Sequence, residues 1–328
     1  MSSKQLFRDA LAGTGGGAVP VAPLLFTYAS KLRGLEVREM MSDATLLSNA
    51  LGDALELFDY DAVLASFDLT LEAEALGCEV EWNGSGPAVS GNLPAAEDLP
   101  DAAGIQEKGR LPVAVEVIRR LVAVHGRDRG VMAAFTGPLT LFRHLDGRSL
   151  SEALAADEDR ALDVLDVAGE VVTSMAQLYG DLGLDAVILA EETMRSETET
   201  GLEEVMPIYG SLCDIARYFN QASVFLPGGY AAEQVAGPIC TAGADCVMLW
   251  DAECLETARE AAGPALALGG GVPPGALSAD PGEIFGMVER CMKGAGSSGY
   301  FVSTGWEVPL GANLESLHAM VAAARQSR

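Results

Sequence analysis

The sequence predicts a single-domain (β/α)8 barrel over residues 1–328, a fold of the α/β class, and three observations lead to this prediction. Eight short runs rich in Val, Ile, Leu, Ala and Phe are bounded by turn residues, which is typical of strands buried on both faces. Segments with helical apolar spacing separate these runs, as in βαβ units. The strand–GxGxxG–helix motif that begins many open doubly wound sheets is missing, because Gly15–Gly17 precedes a strand.

The strands and helices alternate along the whole chain. The predicted strands are Val19–Leu25, Ala62–Ser66, Gly130–Phe135, Ala186–Ala190, Ser223–Leu226, Cys246–Leu249, Ala265–Leu268 and Tyr300–Ser303. The predicted helices are Thr45–Phe58, Pro112–Val124, Ser151–Tyr179, Leu202–Phe219, Pro281–Met292 and Leu314–Arg325. Eight parallel strands are the number that closes this kind of barrel, which commonly takes about 250 residues or more.

One segment departs from the simple barrel pattern. Glu79–Leu93 alternates between apolar and polar residues and contains the turn dipeptide Asn83-Gly84. Such a dipeptide between alternating runs is a strong signal for a β-hairpin. We therefore expect a β-hairpin insertion after the helix that follows the second strand.

Charge and hydropathy exclude several classes of function. The chain carries 47 acidic and 21 basic residues, for a formal net charge of −26, which disfavours a nucleic-acid partner. No signal peptide and no membrane-spanning run of about 18 apolar residues is evident, so we expect a soluble cytoplasmic protein without a membrane partner. Six cysteines are scattered without the spacing of a metal site, and we expect them to be reduced.

The candidate site residues follow from barrel topology, because the active sites of such barrels lie in loops at the carboxyl ends of the strands. The catalytic candidates after these strands are Asp68, His144, Glu191 and Glu192. The candidates for binding a substrate or cofactor are Tyr28, Phe67, Arg143, Gly228, Gly229, Tyr230, Asp251, Trp306 and Glu307. No metal ligands are predicted among them.

Charge and shape suggest what the candidates do. Glu191 and Glu192 are adjacent carboxyl groups, and the repulsion between their charges can raise the pKa of one of them, which can then serve as an acid or a base. Arg143 and His144 can bind an anionic group. Trp306 can form an apolar or cation-binding wall.

Each assignment has a structural alternative. Asp68 can cap the following helix, since Asp is a favoured N-cap residue. Glu191 and Glu192 can belong to a solvated acidic loop, and Arg143 and His144 can be an ordinary helix-surface pair. Trp306 can serve only as packing.

Several segments, in chain order, resemble the uroporphyrinogen decarboxylase superfamily, which also contains methyltransferases that use corrinoid cofactors. The segments are Val19–Leu25 with Tyr28-Ala29, Ser66–Leu69 with Glu72–Gly77, Phe135–Leu141 (FTGPLTL), Gly243-Ala244, Gly269–Pro273 and Ser303–Pro309 (STGWEVP). The opening strand is most similar to the methyltransferase branch. The resemblance implies a barrel across nearly the whole chain.

For the decarboxylases, the resemblance implies a substrate-binding role for Asp68, which matches the aspartate that contacts the substrate pyrroles. The Arg-rich loop of those enzymes is replaced by Phe26–Gly34, which has Lys31 and Arg33 but not the motif. His144 stands at the position of a tyrosine, and Gly305–Glu307 replaces a Gly-His-Gly segment. Uroporphyrinogen decarboxylation is therefore disfavoured.

For the methyltransferases, the resemblance implies a zinc-bound thiolate with ligands from a His-x-Cys motif and a late Cys. Here the first motif has become Leu226–Gly229, and Trp306 replaces the late Cys. We therefore expect no zinc. A methyl-carrying corrinoid, methylcobalamin, is expected on a separate corrinoid protein.

The predicted function is that of a corrinoid-linked methyltransferase acting on a small-molecule substrate. The alternatives are a decarboxylase of uroporphyrinogen or another small acid, and a catalytically inactive ligand-binding barrel. The resemblance also allows a homodimer, because barrels of this family often pair through their loops. The sequence does not define the substrate or the direction of methyl transfer.

Overall fold

A computed structural model describes residues 1–14, 17–93, 99–192, 194, 197–228, 232–296 and 299–326, without the side chains of residues 232–235. Its strands are β1 Ala62–Leu64, β2 Glu79–Asn83, β3 Gly86–Gly91, β4 Gly130–Thr136, β5 Ala186–Glu191, β6 Ala222–Pro227, β7 Cys246–Leu249, β8 Ala267–Val272 and β9 Tyr300–Thr304. Seven of them form one parallel sheet in the order β1-β4-β5-β6-β7-β8-β9. The chain thus has an α/β fold with a curled parallel sheet, consistent with a (β/α)8 barrel.

The helices lie between the strands, as the periodicity predicts. They are α1 Ser3–Leu11, α2 Ala29–Arg33, α3 Val37–Met41, α4 Ala44–Phe58, α5 Leu71–Ala75, α6 Leu111–His125, α7 Pro138–Asp146, α8 Leu150–Ala156, α9 Glu158–Gly180, α10 Glu199–Tyr218, α11 Ala232–Ala242, α12 Ala252–Ala262, α13 Pro281–Ala295 and α14 Leu314–Gln326. The predicted helix Ser151–Tyr179 is two helices, because Asp157 has an extended backbone and caps α9 through the Arg160 N–H. None of the described helices is both long and apolar enough to cross a membrane.

The predicted first strand, Val19–Leu25, is wrong as a regular strand, because within the described residues its pairing is limited to one parallel bridge from Val21 to Val302. Its prolines lack the N–H groups that a strand ladder needs. The Val21 N–H donates instead to the Asp61 carboxylate at 2.8 Å, and the Asp61 N–H donates to the Val21 carbonyl at 2.7 Å. Since Asp61 directly precedes β1, this irregular segment is bonded next to both outer strands of the sheet.

The core of the molecule is filled by the strands, as the apolar runs predict. Every residue of β4, β5, β7, β8 and β9 is buried. In β8 the backbone itself is tightly packed, because a Cβ on Gly270 would lie 2.2 Å from the Leu249 carbonyl oxygen. Gly270 also has a φ of 91°, in the region that favours glycine. A rigid core of this kind holds the strand ends in place.

The strands β2 and β3 form an antiparallel pair outside the main sheet, in the segment for which the sequence predicts a hairpin. The side-chain oxygen of Asn83 accepts hydrogen bonds from the Ser85 N–H at 2.9 Å, the Ser85 hydroxyl at 2.7 Å and the Gly86 N–H at 3.0 Å. These bonds order the turn, whose residues reach the carboxyl ends of the barrel strands.

Candidate functional site

The loops at the carboxyl ends of the strands and the β2–β3 turn enclose a cavity of about 290 Å³, the mouth cavity. The candidates that line it are Phe67, Asp68, His144, Glu192, Trp306 and Glu307. The other lining residues, which sequence reasoning missed, are Thr27, Met41, Leu69, Thr70 and residues 85–89. Strand ends far apart in the sequence therefore contribute to one cavity.

Asp68 is buried and is paired with Arg110, a residue that sequence reasoning missed. The guanidinium Nη1 of Arg110 donates to Asp68 Oδ2, and the Thr70 N–H and hydroxyl donate to Asp68 Oδ1 at 3.0 and 2.7 Å. Arg110 also donates to Glu74 at 2.9 Å and lies 4.8 Å from the ring centroid of Trp82. This network holds the Asp68 carboxylate between Arg110 and Thr70.

Glu307 lines the mouth cavity and is hydrogen-bonded to Thr27. The Thr27 N–H donates to Glu307 Oε1 at 2.5 Å. Burial raises the pKa of Glu307 to about 7, and the negative charge of Asp68 adds to the increase. A carboxyl group with this pKa can accept or donate a proton at neutral pH.

Glu72 lies fully buried beside the cavity, in the helix that follows Asp68. Its carboxyl group lies 2.5 Å from the Thr136 hydroxyl, which is also 3.0 Å from the Leu69 carbonyl oxygen. The hydroxyl has one hydrogen for these two oxygens, so a proton on Glu72 lets all three groups bond. Burial raises the pKa of Glu72 to about 7, again with a contribution from Asp68. The sequence shows this glutamate only as part of a family-like segment.

His144 presents a neutral imidazole to the cavity. Burial, and then the positive charge of Arg143, lower its pKa to about 4. Its Nδ1 atom is buried and has no hydrogen-bond partner among the described residues. A neutral ring of this kind can donate or accept a hydrogen bond with a ligand.

Glu191 does not line the mouth cavity, although Glu192 beside it does. The Glu191 carboxylate accepts hydrogen bonds from the Leu139 and Thr140 N–H groups at 3.1 and 2.8 Å, at the start of α7. The Thr140 and Tyr209 hydroxyls donate to it as well, at 2.7 and 2.6 Å. Burial raises the pKa of Glu191 to about 7, and these donors oppose the increase. Its contacts are those of a structural cap for a helix.

Three further candidates lie apart from the cavity lining. Tyr28 is buried at the start of α2, and Arg143 is exposed. Asp251 accepts from the Cys254 N–H at 2.9 Å, caps α12 and lines a different cavity of about 420 Å³. The described lining of the mouth cavity therefore does not include these three side chains. The candidates Gly229 and Tyr230 lie outside the described residues.

Trp306 packs against Phe67, which also lines the cavity, and against Gly228. The rings of Phe67 and Trp306 have centroids 5.4 Å apart and planes at 82°. A Cβ on Gly228 would lie 2.8 Å from Cζ3 of Trp306, so the indole occupies the space that a side chain at 228 would fill. The two segments that stand where the resemblance places metal ligands are thus in direct contact.

Metal-binding geometry is missing from the part of the chain that the structure describes. Within it, no group of three or more His, Cys, Asp or Glu side chains is arranged to hold a metal ion.

The protonation of Glu72 leads to a test by stability measurements. The unfolded carboxyl group ionises near its ordinary pKa of 4.5 but the folded one near 7, so the stability that its proton confers is lost as the pH rises from about 4.5 to the folded pKa of about 7. Glu72→Gln mimics the protonated form. Its free energy of unfolding, relative to the natural protein, should increase by about 2–3 kcal/mol between pH 5 and pH 8.

Denaturant unfolding at several pH values, followed by circular dichroism, measures this difference. The control is Glu81→Gln, an exposed glutamate, whose difference from the natural protein should stay constant over the same range. A constant difference for Glu72→Gln as well would show that Glu72 is ionised when buried.

Comparisons with known proteins give the context of this site. A family model described as uroporphyrinogen decarboxylase (URO-D) matches residues 2–327. A methylated-thiol–coenzyme M methyltransferase from Methanosarcina mazei is 26% identical over 62% of this chain and 59% of its own length. A methylcobamide:CoM methyltransferase (MtbA) from the same organism is 23% identical over 57% of each chain. The match thus spans less than two thirds of these curated relatives.

Solved structures support the fold. A methyltransferase from Methanosarcina mazei superposes with a TM-score of 0.87 at 20% identity, covering 99% of both chains. A B12-independent methionine synthase from Shewanella superposes with a TM-score of 0.64 at 13% identity, covering 94% of this chain and 97% of its own. At these identities the likeness concerns the fold alone.

Proposed function

This chain belongs to the uroporphyrinogen decarboxylase family, and from that premise we propose that it is a corrinoid-linked methyltransferase. It moves a methyl group between a cobalamin carried by a separate protein and a small substrate in the mouth cavity. The observation that carries the proposal is that the curated relatives are named methyltransferases. One is named for methylated thiols and coenzyme M, and another for methylcobamide and CoM.

We further propose that the reaction proceeds without zinc. The segment Leu226–Gly228 and Trp306 offer no His or Cys side chain at the positions where the resemblance places ligands. Zinc in proteins is bound by Cys, His, Asp or Glu. A metal centre of the kind implied by the resemblance does not fit this donor set, and activation of the substrate then depends on the protein's own acids and bases.

The lining supports a division of roles. Asp68, held by Arg110 and Thr70, orients the substrate and keeps a fixed negative charge beside it. Glu307 moves a proton near neutral pH, while the neutral His144 provides a hydrogen bond. The β2–β3 turn covers the cavity and limits the access of water.

Decarboxylation of uroporphyrinogen is less well supported. That substrate carries several carboxylates, which a protein binds with Arg or Lys side chains. Among the described residues the cavity lining contributes carboxyl groups but neither Arg nor Lys. The alternative of a barrel that binds a ligand without converting it predicts no change in the cobalt spectrum in the assay below.

The test is to mix purified protein with methylcobalamin and a panel of thiols, amines and phenols, and to follow the cobalt absorption. We expect loss of the methylcobalamin spectrum with at least one acceptor, and a rate in Glu307→Gln reduced by about tenfold or more. Glu81→Gln, an exposed glutamate, is the control and should keep the full rate. An unchanged spectrum across the panel and in the reverse direction, from methylated compounds to cob(I)alamin, would contradict the proposal.

A further inference from the structure

The mouth cavity has a charge pattern that the proposed function does not use. Every charged side chain that the described residues contribute to its lining is a carboxyl group: Asp68, Glu192 and Glu307. Asp68 is compensated by Arg110, whose guanidinium lies behind it, in contact with Glu74 and Trp82. Glu192 and Glu307 have no Arg or Lys partner within salt-bridge distance among the described residues. Burial raises the pKa of Glu192, and the charge of Arg143 opposes this increase without forming a salt bridge. Neither Glu192 nor Glu307 is paired with a cation in the described lining, so both carboxyl groups can interact with a ligand.

Part of the remaining lining is apolar and aromatic, and the polar side chains of Thr27, Thr70, Ser85 and His144 complete it. Phe67 and Trp306 meet edge to face with ring planes at 82°, and the Met41 side chain lies on the same lining. Aromatic faces attract cations through their quadrupole, and a thioether is readily polarised. An aromatic corner beside carboxyl groups is a known way to bind ammonium groups that carry alkyl substituents.

The volume of about 290 Å³ suits a small ligand, since drug-sized ligands occupy cavities of roughly 300–1,000 Å³. The net charge of −26 adds a long-range field that draws cations towards the protein and repels anions. A bound cation would also stabilise the ionised form of Glu307.

From these observations we infer that the mouth cavity is a binding site for a small organic cation, an alkylated ammonium compound, held between Glu192, Glu307 and the Phe67–Trp306 corner. The inference rests on the proposed function only in naming this cation as the substrate. A cavity that binds a cation in this way should not bind an anionic thiol.

The experiment uses isothermal titration calorimetry with three probes on the full chain. The probes are choline, its uncharged isostere in which carbon replaces the quaternary nitrogen, and the anion 2-sulfanylethanesulfonate. We expect saturable binding of choline, and binding of the isostere at least about tenfold weaker, since carboxylates and π-faces act on the charge. The sulfonate should not bind measurably.

Variants locate the site. Glu307→Gln and Glu192→Gln should each weaken choline binding by about fivefold to tenfold, and Trp306→Leu by a similar factor. Glu253→Gln, an exposed carboxylate that lines the 420 Å³ cavity, removes the same charge elsewhere and should leave binding unchanged. Circular dichroism and the melting temperature of each variant show whether it is folded.

The outcomes separate this inference from the proposed function. Equal binding of choline and its isostere, preferred binding of the sulfonate, or no saturable binding of choline would each overturn the cation site. Methyl transfer to a thiol without choline binding would leave the methyltransferase proposal standing alone. Choline binding with no change in the cobalt spectrum would leave the cation site standing alone.

Discussion

Replacing Glu191 with Ala should lower the free energy of unfolding by about 4 kcal/mol or more, the largest effect that we expect of any single substitution. The Glu191 carboxylate accepts from two N–H groups of α7 and from the hydroxyls of Thr140 and Tyr209, all of them buried. Each buried donor left without a partner costs about 1–3 kcal/mol. The loss of the side chain also leaves a void against Gly137, whose added Cβ would lie only 2.3 Å from Glu191.

Urea unfolding of the natural protein and of the variant measures this loss. The neighbour Glu192 provides the matched control, because its side chain is exposed. Glu192→Ala should change stability by less than about 1 kcal/mol. A similar small change for Glu191→Ala would mean that the start of α7 does not depend on this carboxylate.

Replacing Arg110 with Met should lower the free energy of unfolding by about 3–5 kcal/mol, the second largest expected effect. Met keeps the apolar stem of the side chain but leaves Asp68, whose side chain is 4% exposed, without its positive partner. Breaking a buried ion pair from one side is strongly destabilising, because the remaining charge is not compensated. Glu74 and the Trp82 ring lose a contact in the same variant.

Two variants make this test specific. Arg120→Met breaks an exposed ion pair with Glu116 and should cost less than about 1 kcal/mol. The double variant Asp68→Asn/Arg110→Met removes both charges and should recover most of the stability lost in Arg110→Met. Failure of the double variant to recover stability would show that Arg110 acts through packing on Trp82 rather than through its charge.

The pattern of apolar residues along the chain predicted the positions of most strands and, through them, the candidate residues. A strand buried on both faces has a near-continuous apolar run, and the runs at β4, β5, β7 and β9 match the strands of the structure closely. Barrel topology then indicated Phe67, Asp68, His144 and Trp306, which do line one cavity. The prediction of the first strand was wrong because its prolines lack the N–H groups that a strand ladder needs. The Val21 N–H also donates to the Asp61 carboxylate and not to a neighbouring strand.

The same pattern did not predict which side chains far apart in the sequence form ion pairs or hydrogen bonds. Arg110 is 42 residues from Asp68, and Thr136 is 64 residues from Glu72. Two neighbouring glutamates, Glu191 and Glu192, look alike in the sequence, yet one caps α7 and the other lines the cavity.

The sequence by itself therefore determined the α/β class, the parallel strands and the end of the sheet at which the candidate site lies. These features depend on the period of apolar residues and on chain direction, which are local properties. The tertiary structure alone decided which carboxyl group has a positive partner, which carboxyl groups have a pKa raised by burial and which side chains line one cavity. Those outcomes depend on burial and on distances between atoms that only the path of the folded chain brings together.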